Sequence, residues 1–197
     1  YDDQGSWNDF EKAINIDPDN ADAYFQRACM NKYINPDNFQ EMINDCDKAI
    51  AIDPNISMKN LTSAYSIRAY ARLSLNDFGG SIDDCNKAII INPKDSMIYI
   101  NRGNAKASLG DIESALNDYK KALEIKPNHS FAEDQVIDFE NYLKKEKEDI
   151  ELNQKKLMEM NPDFYIKLKD AYSYSNRGIG KLATMDYYGA INDFNKA

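Results

Sequence analysis

Apolar residues three and four positions apart recur along the chain in short blocks, and each block ends in a proline. The blocks read NDFEKAINIDP (8–18), NDCDKAIAIDP (44–54), DDCNKAIIINP (83–93) and NDYKKALEIKP (117–127), with a weaker echo in NQKKLMEMNP (153–162). Spacing of this kind puts the apolar side chains on one stripe of a helix, whereas strict alternation would mark a strand. Lysine comes late in each block, where the helix dipole favours a cation, and proline then stops the helix. Pro18, Pro54, Pro93, Pro127 and Pro162 stand 36, 39, 34 and 35 residues apart, so one predicted helix recurs on a nearly fixed ruler.

A second predicted helix precedes each block: AYFQRACMNKY (23–33), AYSIRAYARLSL (64–75), IYINRGNAKASLG (98–110) and AYSYSNRGIGKLA (171–183). Tyr24, Tyr65, Tyr99 and Tyr174 lead these helices, and Ala28, Ala69, Gly103 and Gly178 follow four residues later. The block helices carry their own small residues at Ser6, Ser81, Ala115 and Ala190. Small residues at helix crossings let backbones approach, and the tyrosines fill the remaining space. The links NPDN (35–38), LND (75–77), LGD (109–111) and TMD (184–186) read as tight turns.

A degenerate helix–turn–helix of about this length, with this aromatic, small and proline pattern, resembles the tetratricopeptide repeat (TPR). The resemblance implies an all-α fold, a right-handed α-solenoid of stacked helix pairs. It divides the chain as follows: 1–20, the second helix of an incomplete repeat; 21–56, a repeat; 57–95, a repeat with an extended first helix; 96–129, a repeat; 130–164, a degenerate repeat; and 165–197, a repeat with an extended first helix, cut before its proline. The degenerate stretch has lost the small residues and the turn. Val136, Leu143, Ile150 and Leu157 fall seven apart there, which predicts one long helix over about 131–160, with a pair bent near Lys145 as the alternative. Because the chain opens and closes within the same phrase, NDFEKAI (8–14) and INDFNKA (191–197), it is expected to be a piece of a longer array.

One departure from the family pattern recurs. Where a typical repeat has Leu before the small residue, this chain has Arg27, Arg68, Arg102 and Arg177, each followed 16 to 18 residues later by Asp45, Asp84, Asp118 or Asp193. A guanidinium half-buried between helices calls for a carboxylate, so these are expected to be structural ion pairs, with ligand binding as the alternative.

Net charge is −9, and an acidic chain repels phosphate backbones, so nucleic acid is not an expected partner. No apolar run approaches the roughly 20 residues of a membrane helix, so direct membrane insertion is not expected. Cys29, Cys46 and Cys85 form no close pair and are expected to be reduced, buried thiols; the compartment is not fixed, with the cytoplasm favoured. His129 is the single histidine, expected as a surface loop residue. Neither a phosphate loop nor a catalytic or metal-ligand spacing occurs, so no cofactor and no enzymatic activity is expected.

The resemblance implies a protein-interaction scaffold whose first helices line a concave groove. Position by position, that groove would hold Asp22, Phe25, Gln26, Cys29 and Lys32; Ser63, Ser66, Ile67, Tyr70 and Leu73; Met97, Ile100, Asn101, Asn104 and Ala107; and Tyr172, Ser175, Asn176 and Ile179. Asparagines there would hold an extended peptide backbone and apolar neighbours its side chains. The expected partner is a protein or peptide, neutral or basic and partly apolar. The carboxylate clamp of co-chaperone repeats is not expected: its Lys and Asn columns hold Phe25/Cys29, Ser66/Tyr70 and Ile100/Asn104, and its last Lys and Arg would be Ala132 and Val136. Two alternatives stand beside this reading. One is a regulatory or targeting array attached to an enzyme or membrane anchor outside the chain. The other is head-to-tail self-association.

Overall fold

A computed structural model of the protein describes residues 3–53 and 57–166. The last repeat, 165–197, therefore lies almost wholly outside the described residues, as do Tyr172, Asn176 and the pair Arg177–Asp193. The described residues are all-helical: α1 (Asp3–Ile16), α2 (Ala21–Ile34), α3 (Phe39–Ile52), α4 (Met58–Ser74), α5 (Phe78–Ile91), α6 (Ser96–Ser108), α7 (Ile112–Ile125) and α8 (Ser130–Met160). The chain divides into two compact units between Phe139 and Glu140.

In the first unit the helices form consecutive antiparallel pairs, α2 with α3, α4 with α5 and α6 with α7, each packed on the next into an α-solenoid. The sequence specifies where each helix begins. Asn20, Ser57, Asp77, Asp95 and Asp111 accept from the first-turn backbone N–H groups of α2, α4, α5, α6 and α7. The turns within the second and third pairs share one conformation: Asn76 (φ 63°) and Gly110 (φ 81°) both sit in the left-handed region, which glycine and asparagine tolerate best.

The core is built from small residues. Ala28, Ala49, Ala69, Ala88, Ala105, Ala115, Ala122 and both Cys46 and Cys85 have no solvent exposure. Ser81 is buried as expected of a crossing point, but Ser6 is exposed on α1. Gly103 lies against the ring of Tyr119, where an added Cβ would come within 3.0 Å.

The second half of α8 belongs to the second unit and carries a different composition. α8 is one continuous helix of 31 residues with no break near Lys145, because no glycine or proline interrupts it. Its N-terminal turns close the first unit: Ala132 is buried and Val136 and Phe139 pack against Tyr99, Ile100 and Tyr119.

Candidate functional site

Two arrangements stand out in the first unit: a ladder of arginines between the helices, and a cavity on the face formed by α2, α4 and α6.

The arginines occupy the seam between the helices of each pair. Arg27 donates from Nε and Nη2 to Asp45 at 2.9 and 2.7 Å. Arg68 does the same to Asp84 at 2.8 and 2.6 Å, and Arg102 to Asp118 at 3.0 and 2.6 Å. Each is the two-toothed guanidinium–carboxylate bond. A third N–H reaches back one repeat: Nη1 of Arg68 donates to Asp47 on α3, and Nη1 of Arg102 to Asn86 on α5 at 2.7 Å. Each guanidinium also stands over the tyrosine three residues before it, Tyr24, Tyr65 or Tyr99, at 5.8, 5.4 and 5.5 Å. Arg72 adds a further bond to Asp84 at 2.8 Å, and Lys106 one to Asp118 at 2.8 Å.

These contacts fix the charge states. The bonds to Asp45 come first in holding the Arg27 guanidinium above its ordinary pKa. Burial opposes the charge on Arg68 and Arg102, but the bonds to Asp84 and Asp118 outweigh it and raise both. Burial pushes Asp45 up, against the pull of Arg27. The side chains point between helices and not into the cavity.

The cavity has a volume of about 320 Å³. α2 contributes Lys32; α4 contributes Ser66, Ile67, Tyr70 and Leu73; α6 contributes Met97, Ile100, Asn101 and Asn104. His129 and Phe131, at the start of α8, form the far wall. Lys32 holds its ammonium 5.4 Å from the centre of the Tyr70 ring. Asn104 accepts the Tyr119 hydroxyl at 2.6 Å through Oδ1, a bond that does not use its N–H groups.

Of the expected groove residues among those described, Asp22, Phe25, Gln26, Cys29, Ser63 and Ala107 do not line the cavity. Phe25 is buried in the core with Ala28, Cys46, Ala49 and Ala64, and Cys29 packs against that cluster, because α2 turns this stripe toward α3 and α4. His129 is not a plain loop residue. Its Nδ1 accepts the Ala132 N–H at 3.4 Å at the start of α8, and the ring borders the cavity. His129 stands directly before Ser130, and histidine is not among the usual capping residues, so the cap bond was not legible in the sequence, and its approach to α6 depends on tertiary packing.

Among the described residues no three His, Cys, Asp or Glu side chains converge as metal ligands, and no helix is long and apolar enough to cross a membrane. The three cysteines are free. Burial raises the thiols of Cys29 to about 11 and Cys85 to about 12, and raises Cys46 as well.

Comparison with known proteins places this geometry. The family model of the tetratricopeptide repeat matches residues 96–129. The crystal structure of MamA is similar with a TM-score of 0.59 at 22% identity, over 68% of this chain and 75% of that one. The first TPR domain of human RPAP3 is similar at 0.55 and 27% identity, over 64% and 93% of the two chains. The first TPR of Spaghetti (RPAP3) bound to the HSP90 peptide SRMEEVD gives 0.55 and 28%, over 62% and 94%. No curated protein sequence matches the chain. Residues 96–129 match the tetratricopeptide repeat, and the helix pairs described above share the fold of these helical solenoids.

Proposed function

We propose that the protein is an interaction scaffold that holds a segment of a partner protein on the face formed by α2, α4 and α6, and that it acts by binding and not by catalysis. The observation that carries this reading is the cavity itself, which is apolar along Ile67, Tyr70, Leu73 and Ile100 and polar at Ser66, Asn101 and Asn104. A face of this kind suits a peptide, whose backbone needs hydrogen bonds and whose side chains need apolar pockets. The similar domain of Spaghetti binding an HSP90 peptide supports the class of partner.

The lining alters the charge expected of the partner. It contains Lys32 and His129 and no carboxylate, so a neutral or acidic segment suits it better than a basic one. It does not reproduce the clamp for a chain-terminal carboxylate, since Phe25 and Cys29 occupy the clamp's first column. In this reading the arginine ladder is structural, because each guanidinium already donates two bonds to its own carboxylate and stands over its own tyrosine ring.

A photo-crosslinking amino acid at Met97, which is exposed at the rim, tests the proposal. Crosslinking to a partner protein in cells is expected, and it should vanish when Tyr70, Ile100 and Asn104 are all replaced by Ala in a protein that still folds. Crosslinks that persist in this triple variant would place the site elsewhere.

A further inference from the structure

α1 repeats the sequence phrase of α3, α5 and α7, but its inner face is not covered as theirs are. Each of those three helices packs against the first helix of its own pair, α2, α4 or α6. α1 packs on α2, the helix that follows it, and Trp7 ties it there by donating to Asn31 at 3.0 Å. The three covered helices therefore show what the same positions look like when a first helix lies over them.

Asp9 stands where they have Asp45, Asp84 and Asp118. Its side chain is 73% exposed, and its ion pair is with Lys12 on the same helix. The other three carboxylates are at most 5% exposed, and each takes two bonds from an arginine of the covering helix. Ala13 is half-buried, where Ala49, Ala88 and Ala122 have no exposure. Ile16 is 85% exposed, where Ile52, Ile91 and Ile125 are half-buried. Asp9, Ala13 and Ile16 stand four and three apart, so they form one stripe, with Phe10 beside it. The stripe combines small residues, apolar residues and one carboxylate, which is the composition of a helix crossing.

From this comparison we infer that α1 docks an amphipathic helix of a partner protein, which carries a tyrosine, an arginine three residues later and Ala or Gly immediately after it. The arginine meets Asp9, and the small residue lets the two backbones approach. Those three residue types are what Tyr24, Arg27 and Ala28 bring to α3, Tyr65, Arg68 and Ala69 to α5, and Tyr99, Arg102 and Gly103 to α7. Asp9 to Ile16 is two turns, about 10 Å, so the partner helix needs about three turns to cover the stripe. A second copy of this chain is the poorer occupant, because its described helices of that pattern are already paired with α3, α5 and α7. The inference goes beyond the peptide-binding reading and is independent of it, since the cavity of α2, α4 and α6 does not include α1.

A fluorescent peptide with the sequence of α4, MKNLTSAYSIRAYARLS, stapled as a helix, is the probe. Its control carries Arg68→Glu. Binding to the whole chain is read by fluorescence anisotropy. The arginine probe is expected to bind about tenfold tighter than the control, and raised salt should narrow the gap. Asp9→Lys in the chain should reverse the order, and Ile16→Glu should weaken both peptides. Both positions are exposed, so the melting transition of each variant should stay unchanged. Binding indifferent to Asp9→Lys and Ile16→Glu would place the probe elsewhere on the chain and overturn the inference. No binding of either peptide would overturn it as well. Sedimentation of the chain alone gives the last arm: a dimer lost on Asp9→Lys would assign the face to a second copy and overturn the choice of a partner helix. Crosslinking from Met97 should be the same in both variants, so failure here leaves the peptide-binding reading standing.

Discussion

Arg102 donates from Nη1 to Oδ1 of Asn86 at 2.7 Å, and so joins α6 to the helix pair before it. The corresponding contact one repeat earlier runs from Arg68 to the carboxylate of Asp47. The two seams therefore share a geometry but differ in charge. Asn86→Asp should convert the second into an ion pair. Because the position is exposed, the gain is small, about 0.5 kcal/mol at low salt. Denaturant unfolding at two ionic strengths checks this: the variant should be the more stable at low salt, and the difference should shrink at high salt.

Removing a ladder arginine has the opposite and larger effect. Asp84 has no solvent exposure and is bonded by Arg68 and Arg72. Arg68→Met strips two of its bonds and leaves a buried carboxylate only partly matched, at a cost of about 3 kcal/mol. The double variant Arg68→Met, Asp84→Leu should recover most of that loss, since the cost lies in the unmatched charge. Equal loss in the single and double variants would mean that packing, not charge, sets the effect.

Two glycines should respond in opposite senses to alanine. At Gly79, near the start of α5, an added Cβ meets nothing within 4 Å. Gly79→Ala should stabilise the protein by about 0.5 kcal/mol through helix propensity and unfolded-state entropy. At Gly103 the Cβ would press on the ring of Tyr119, at 3.0 to 3.3 Å, and that ring is 1% exposed. Gly103→Ala should destabilise by about 1–2 kcal/mol net. It should also disturb Asn104, which the Tyr119 hydroxyl holds, so groove binding should weaken in the same variant.

Alkaline pH should erode the fold. Burial raises Cys29 to about 11, Cys85 to about 12 and Tyr119 to about 12. The unfolded chain titrates near 8.5 for Cys and 10 for Tyr, so above about pH 8.5 it begins to lose protons that the folded chain keeps. The stabilisation is fully present below that value and falls as pH rises toward the folded values. Equilibrium denaturation between pH 7 and 11 should show a monotonic decline, less steep in a Cys29→Ser, Cys46→Ala, Cys85→Ala variant. At pH 8 the native thiols should react slowly with a disulfide reagent, with Cys29 only about one part in a thousand thiolate.

Much of the fold was legible because each repeat states it again. The apolar stripes, the capping Asp or Asn, and the left-handed turn residues Asn76 and Gly110 are local signals, and local signals survive in a single sequence. The pairing of arginine with aspartate could be anticipated within a repeat, where a short turn fixes the register. The reach of Arg68 to Asp47 and of Arg102 to Asn86 could not, since it depends on how one pair rotates against the next. The site was legible in part for the same reason. Tyr70, Ile100, Asn101 and Asn104 follow from the helix face, whereas Phe25 was lost to the core and His129 and Phe131 enter from the following helix.

The third N–H of Arg68 and of Arg102 has a consequence for how such a chain can change in length. A repeat carries the donor for its predecessor and the acceptor for its successor, on Arg68 and Asn86 in the α4–α5 pair. A copy of that pair inserted beside itself would find Asn86 facing an Arg68 and would close its own seam. Duplication or loss of a whole repeat thus leaves the hydrogen bonding complete, and selection need not invent a new joint each time. At the next joint the two columns hold Lys120 and Ile137, a cation and an alkyl group, so a unit copied to that place would not inherit the same fastening.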